Sequence, residues 1–148
     1  MAQKSIYTAG YEDKDISEFL NRLLNNNINV LIDIRAVPAS RKAGFSKNRL
    51  REHLASVNIK YLHVGELGSP KELREDLHDN NNYERFFRRY SCYLETQMET
   101  LVRLYEDVIT NESSCLMCME RNPFQCHRKI VADKIKDIDG NGLKIIHI

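Results

Sequence analysis

Residues 118–128 read CMERNPFQCHR, so eleven positions hold Cys118, Glu120, Arg121, Pro123, Cys126, His127 and Arg128. Such a set suits several chemistries. Thiolates with a histidine hold zinc, a cysteine pair does redox work or carries sulfur, and a carboxylate beside bound phosphate moves a proton or stabilises positive charge. Residues 114–119, SCLMCM, have the apolar character of a strand, in which alternate side chains share a face. Cys118 and Glu120 therefore point one way, and Cys115, Met117 and Met119 the other. That argues against a zinc knuckle, because Leu116 and Met117 extend the strand and no glycine bends Cys115 around to Cys118. No metal site at Cys115, Cys118, Cys126 and His127 is expected, and no cofactor. A phosphatase-type loop fails on spacing: Arg128 is too far from Cys118 and Arg121 too close.

Asn122 and Pro123 signal a helix over 122–138, with proline at its first position. Cys126 then falls in the second turn, where the positive helix end favours a thiolate, although a small buried hydrophobe is an equal reading. His127 shares the helical stripe of Phe124, Val131, Ile135 and Ile138. It should face the sheet and bond Asp33 or a backbone carbonyl. Arg128 is left to grip an anion.

A second constellation, RAVPASRKAGFSKNRLR at 35–51, holds six basic residues and no acid. A solvated loop is the bland reading. Arg35, Ser40 and Arg41 followed by a helix start at Ser46 are the residue types that bind phosphate. Arg85, Arg88 and Arg89 add positive charge further on, as anion binders or as a solvated face.

The elements that must position these groups alternate strand and helix, the order of a parallel sheet. Strands are predicted at 5–9, 28–35, 59–64, 114–119 and 143–148. A helix capped by Asp15 with Glu18 follows the first, and Asn25, Asn26 and Asn27 end it. Ser46 is expected to cap a helix from Lys47 to about Val57, with Phe45 and Leu50 as its hydrophobic staple. Ser69, Pro70 and Glu72 start another. The apolar steps Phe86, Tyr90, Tyr93, Leu101, Leu104 and Val108 predict one long helix over 83–109, its aromatic stripe facing the core. A turn at 139–142 precedes the last strand. The expected fold class is α/β: one domain over residues 1–148, an open, mainly parallel five-stranded sheet with helices on both faces.

Ligands of such sheets bind beyond the carboxyl ends of the strands. The polar residues predicted there are Gly10 and Tyr11, Asp33 and Arg35, His63 and Glu66, and Cys118, Glu120 and Arg121. Each alone has a bland reading, Arg35 as the ion-pair partner of Asp33 for example. Their convergence on one edge is the functional signal.

The segments YTAGYE, IDIRAVPASR, FSKNRL, YLHVGELG, FFRRYSCYL and CMERNPFQCHR, in that order and spacing, resemble the bacterial and archaeal family known as domain of unknown function 488. The resemblance spans nearly the whole chain. The family's motif positions fall on Thr8, Gly10, Asp33, Arg35, Pro38, Ser40, Arg41, Phe45, His63, Leu67, Gly68, Cys118, Glu120, Pro123, Cys126, His127 and Arg128. Members often carry histidine where this chain has Tyr11; if that histidine transfers a proton, this chain has to use the phenol or do without. The resemblance implies no activity.

Composition narrows the classes. Net charge is +1, so only local clustering points to a polyanion, and no apolar run reaches the roughly 18 residues of a membrane span. The start has no leader pattern, and a soluble cytoplasmic protein with no membrane partner is expected. A chain of 148 residues folds without staples, so its four cysteines should be free thiols unless they bind metal or do redox work. The leading expectation is an enzyme-like site for a phosphate-bearing small molecule or nucleic acid, with Arg35, Ser40, Arg41 and Arg128 on the anion and Glu120, Asp33 or Cys118 catalytic. Gly10, Tyr11, His63, Cys126 and His127 surround it. A non-catalytic nucleotide or nucleic-acid binding module is one alternative. Cysteine-based redox or sulfur transfer by Cys118 and Cys126 is the other.

Overall fold

In the computed structural model, which describes residues 4–140 and 142–148, the chain alternates strand and helix from end to end. The order is β1 (Ser5–Gly10), α1 (Ile16–Asn25), β2 (Val30–Asp33), α2 (Lys47–Ala55), β3 (Lys60–His63), α3 (Lys71–Asn80), α4 (Tyr83–Glu95), α5 (Met98–Leu104), β4 (Ser114–Cys118), α6 (Arg128–Ile138) and β5 (Lys144–His147). All strand pairs are parallel, in the order β3-β2-β4-β1-β5. The central strands β2 and β4 are buried along their whole length. The edges β3 and β5 are four residues each and begin on exposed lysines, Lys60 and Lys144, which discourages further strand pairing. Among the described residues no helix is long and apolar enough to cross a membrane.

Strand alternation builds two cores. Ile32, Leu116 and Cys118 face Phe86, Tyr90, Leu101 and Ile135 from α4, α5 and α6. Leu31, Cys115 and Met117 face Phe19 and Leu23 of α1 and Leu50 and Leu54 of α2. Cys115 and Cys118 thus lie on opposite faces of one strand. The chain leaves β1 and β2 toward the α1–α2 face and leaves β4 toward the α6 face. A crevice therefore opens at the carboxyl end of β4, where neighbouring loops diverge.

Several expected elements are corrected. The helix over 83–109 is broken: Thr96 and Gln97 bond back three residues to Tyr93 and Leu94, and Gln97 leaves the helical conformation at φ −109°, ψ 18°. Thr96 Oγ1 donates to the Tyr93 carbonyl, which supports the turn locally. The segment Tyr105–Ile109 then continues as a π-helical turn. The helix over 122–138 is also two pieces, a 3₁₀ turn at Pro123–Gln125 and α6 from Arg128, with Cys126 extended between them at φ −135°, ψ 143°. Ser46 caps nothing: its hydroxyl donates to the Ser40 carbonyl and accepts from the Ser40 amide, both at 3.0 Å, and so ties off the 40–46 loop. The Asp15 cap holds, accepting from the Glu18 amide at 2.8 Å. β2 is shorter than its apolar run at both ends, because ladder pairing covers only Val30–Asp33. The turn expected at 139–142 includes residue 141, which lies outside the described residues. Asn27, Asn58 and Asn81 take positive φ just beyond α1, α2 and α3, since asparagine tolerates the left-handed turn that ends a helix.

Two glycines allow backbones to touch at the carboxyl edge. A Cβ on Gly10 would lie 1.8 Å from the Glu120 carbonyl oxygen, and one on Gly68 would lie 2.2 Å from the Ala36 nitrogen. Gly10→Ala and Gly68→Ala should each lower stability by about 3 kcal/mol or more, read as a fall in the urea midpoint. An unchanged midpoint would show that the backbone gives way there.

Candidate functional site

A cavity of about 460 Å³ opens at the carboxyl end of β4. Tyr11 after β1, Arg35, Val37 and Ala39 after β2, and Cys118, Met119 and Glu120 after β4 form one side. Gln125, Cys126 and His127 come from the connection into α6. Arg74, Leu77 and His78 of α3 and Tyr83 and Phe86 of α4 close the other side. The carboxyl edge thus has the pocket that the strand pattern anticipates.

Not every predicted site residue serves it. Asp33 is fully buried and outside the pocket lining. Its Oδ1 accepts from Arg35 Nε at 2.9 Å, and its Oδ2 accepts from Arg35 Nη2 at 2.7 Å and from the Tyr61 hydroxyl at 2.6 Å. Arg35 Nη1 donates to the Tyr11 hydroxyl at 3.2 Å, and Tyr11 stacks on Phe45 with centroids 4.5 Å apart. Each Arg35 guanidinium nitrogen thus has a partner within the protein, while the residue still lines the cavity. His63 Nε2 donates to the Arg35 carbonyl at 2.8 Å and is not part of the pocket. Ser40 Oγ accepts from the Lys42 amide at 3.1 Å, Lys42 Nζ donates to the carbonyls of Tyr11 and Glu12, and Arg41 is exposed away from the pocket. The 40–42 loop is held against the edge without lining the cavity. Of the other arginines, Arg85 and Arg89 pair with Asp76.

Arg128 is the largest correction. It is 1% exposed, and every guanidinium nitrogen is used: Nε on Thr8 Oγ1 at 3.1 Å, Nη2 on the Arg121 carbonyl at 3.1 Å, and Nη1 on the Glu120 carbonyl and within 3.7 Å of Cys118 Sγ. It grips the protein's own backbone. Arg35, Arg41 and Arg128 do not converge as free cations.

Two of the four cysteines depart from the free-thiol expectation. Cys118 and Cys126 form a disulfide, while Cys92 and Cys115 are free. Burial pushes the Cys115 thiol up, as befits an inert core group. Around the pair, Glu120 Oε2 lies 3.4 Å from Cys118 Sγ, the Arg128 amide donates to Cys126 Sγ at 3.4 Å, and His127 Nδ1 lies 3.9 Å from Cys126 Sγ. Burial pushes the Glu120 carboxyl up from the ordinary glutamate range, and it pushes the His127 imidazole down to about 4. The neutral ring packs on Tyr90 and donates from Nε2 to the Ile34 carbonyl at 3.3 Å. A backbone carbonyl is one of the two partners the helical stripe anticipated, although His127 now stands at the start of α6 rather than inside a longer helix.

The family model described as domain of unknown function DUF488 matches residues 15–135. The chain belongs to this family. No curated protein and no solved structure matches it. The DUF488 match runs from the Asp15 cap to Ile135 of α6, so it takes in the strand ends at Asp33, His63 and Cys118 together with Cys126, His127 and Arg128. Within that span, the helix-borne wall of Arg74, Leu77, His78, Tyr83 and Phe86 escaped the sequence reading. Its signal was present as the three- and four-residue steps Arg74, Leu77, His78 and Asn81, all of which line the cavity.

The Asp33–Arg35 pair predicts a test of the edge's construction. Asp33→Ala leaves a buried guanidinium without its carboxylate and should cost about 3–5 kcal/mol in urea unfolding. Glu52→Ala, which breaks only the exposed pair with Arg49, should leave the midpoint essentially in place.

Proposed function

We propose that the protein performs thiol–disulfide chemistry on a small molecule bound in the pocket, using Cys118 and Cys126. The observation that carries this reading is that the two sulfurs are bonded to each other while both residues line a cavity of about 460 Å³. The pocket has the size of a small-molecule site. Both cysteines are at most 2% exposed, which suits a small substrate better than a folded protein.

In the reduced state one thiolate attacks a sulfur of a small disulfide, forming a mixed disulfide and releasing one substrate thiolate. The second cysteine attacks the protein sulfur of the mixed disulfide, closes Cys118–Cys126 and releases the other half. Two electrons pass from the cysteine pair to the substrate, and the two thiol protons leave with the products. Arg128 supports whichever thiolate is present, through its amide at Cys126 and its guanidinium at Cys118. Reduced protein should therefore cleave hydroxyethyl disulfide with formation of one Cys118–Cys126 bond. Cys118→Ser and Cys126→Ser should abolish cleavage, and Cys92→Ser should retain it. After isolation without reductant, alkylation of the denatured protein should mark only Cys92 and Cys115. Four alkylated cysteines, or equal cleavage by Cys118→Ser and the parent, would overturn the reading.

A second reading concerns what the substrate carries. Arg74 and His78 share one wall with Tyr83 and Phe86, which favours a phosphate-bearing, ring-containing small molecule of the nucleotide class. In this arrangement Arg74 and His78 take the anion in place of Arg35 and Arg128, and Glu120 stands opposite as the candidate acid or base. Arg74→Ala should weaken binding of adenosine monophosphate about tenfold in calorimetry, whereas Arg41→Ala, away from the cavity, should not. Equal effects would point to diffuse charge attraction instead.

A further inference from the structure

Cys118, Cys126 and His127 bring one ligating atom each to within 4.8 Å of one another, and all three residues are buried. We infer that, with the cysteines reduced, these side chains form a zinc(II) site with a fourth position open to the pocket. The inference goes beyond the thiol–disulfide reading and does not require it.

The geometry supports this on three counts. First, the histidine tautomer is set: because the Ile34 carbonyl can only accept, the hydrogen sits on Nε2, and Nδ1 turns its lone pair toward the Cys126 sulfur at 3.9 Å. A zinc ligand needs this arrangement, a histidine oriented through its other nitrogen. Tetrahedral zinc with one sulfur and one nitrogen ligand holds those atoms about 3.5 Å apart, close to the spacing present.

Second, the backbone span fits. The Cα atoms of Cys118 and Cys126 are 7.6 Å apart. Two thiolates on a common zinc ion stand about 3.8 Å apart, a separation this span accommodates. Third, the surroundings suit metal-bound thiolates. The Arg128 amide meets Cys126 Sγ at 3.4 Å, and its guanidinium meets Cys118 Sγ at 3.7 Å.

The zinc site considered from sequence included Cys115, which the strand places in the opposite core. The site inferred here omits it. Glu120, with Oε2 at 3.4 Å from Cys118 Sγ, and the pocket itself lie on the side where a fourth ligand would enter. Two protein thiolates, one imidazole and an open place are a donor set of catalytic rather than closed structural zinc. Oxidation to the disulfide removes both thiolates, so metal binding and disulfide are alternatives at one place.

The test uses the full chain, reduced and freed of metal, titrated with Zn²⁺ against a chromophoric chelator. One equivalent should bind, and Co²⁺ in its place should give the intense visible absorption of tetrahedral thiolate coordination. Cys118→Ser, Cys126→Ser and His127→Gln should each weaken Zn²⁺ binding about a hundredfold or more, with folding followed by circular dichroism, while Cys115→Ser and Cys92→Ser should not. The unmutated protein oxidised to the disulfide should bind none, an arm that requires no variant to fold. Reduced protein that takes up no Zn²⁺, or binding that survives both Cys118→Ser and oxidation, would overturn the inference. Disulfide cleavage without Zn²⁺ uptake would leave the thiol reading and remove this one, and Zn²⁺ uptake without any disulfide formation would do the reverse.

Discussion

The buried guanidinium of Arg128 organises the carboxyl edge of the sheet. It reaches from the first turn of α6 to Thr8 on β1 and to the carbonyls of Glu120 and Arg121 just beyond β4. A cation this deep is tolerable because each of its nitrogens has an acceptor, and removing one acceptor would expose the full desolvation cost of the rest. The contact also brings Cys118 to Cys126, since the loop between them is folded back onto the head of the helix that carries Arg128. Gly10 supplies the room, because any side chain there would meet the same Glu120 backbone that Arg128 holds.

A second buried charge performs the matching task one strand over. Asp33 holds Arg35, whose carbonyl in turn takes His63, and whose Nη1 anchors Tyr11 on the same side of the cavity. The two arginines are therefore tied into the framework of the pocket. Charges that a sequence reading assigns to a ligand are here neutralised by the fold itself, which is the cheaper solution wherever carbonyls and carboxylates lie close enough to satisfy a guanidinium.

With Arg35 and Arg128 tied into the protein, the other polar groups lining the cavity include Cys118, Glu120, Cys126 and His127, and on α3 Arg74 and His78. The two sulfurs lie beside Arg128, and both residues line a cavity of about 460 Å³. The proposed disulfide chemistry and the inferred zinc binding both rest on this one arrangement, and the redox state of the pair would decide between them.

The sequence alone was enough to determine the alternation of strands and helices, the parallel sheet, the faces of β4 and the gathering of Tyr11, Arg35, Cys118 and Glu120 at one edge. Periodicity and local start signals such as Asp15 report these directly, because they depend on residues a few positions apart. It could not decide whether Arg128 met a ligand or a carbonyl, since its acceptors come from residues 8, 120 and 121 and only folding assembles them. The break at Cys126 was hidden for a related reason: Asn122 and Pro123 signal a helix start, but the extended conformation that brings the Cys126 sulfur back to Cys118 is set by contacts with β4. The α3 wall was likewise a matter of docking. Whether Arg74 and His78 face water or a pocket depends on where the helix packs against the sheet, and local sequence holds no term for that distance.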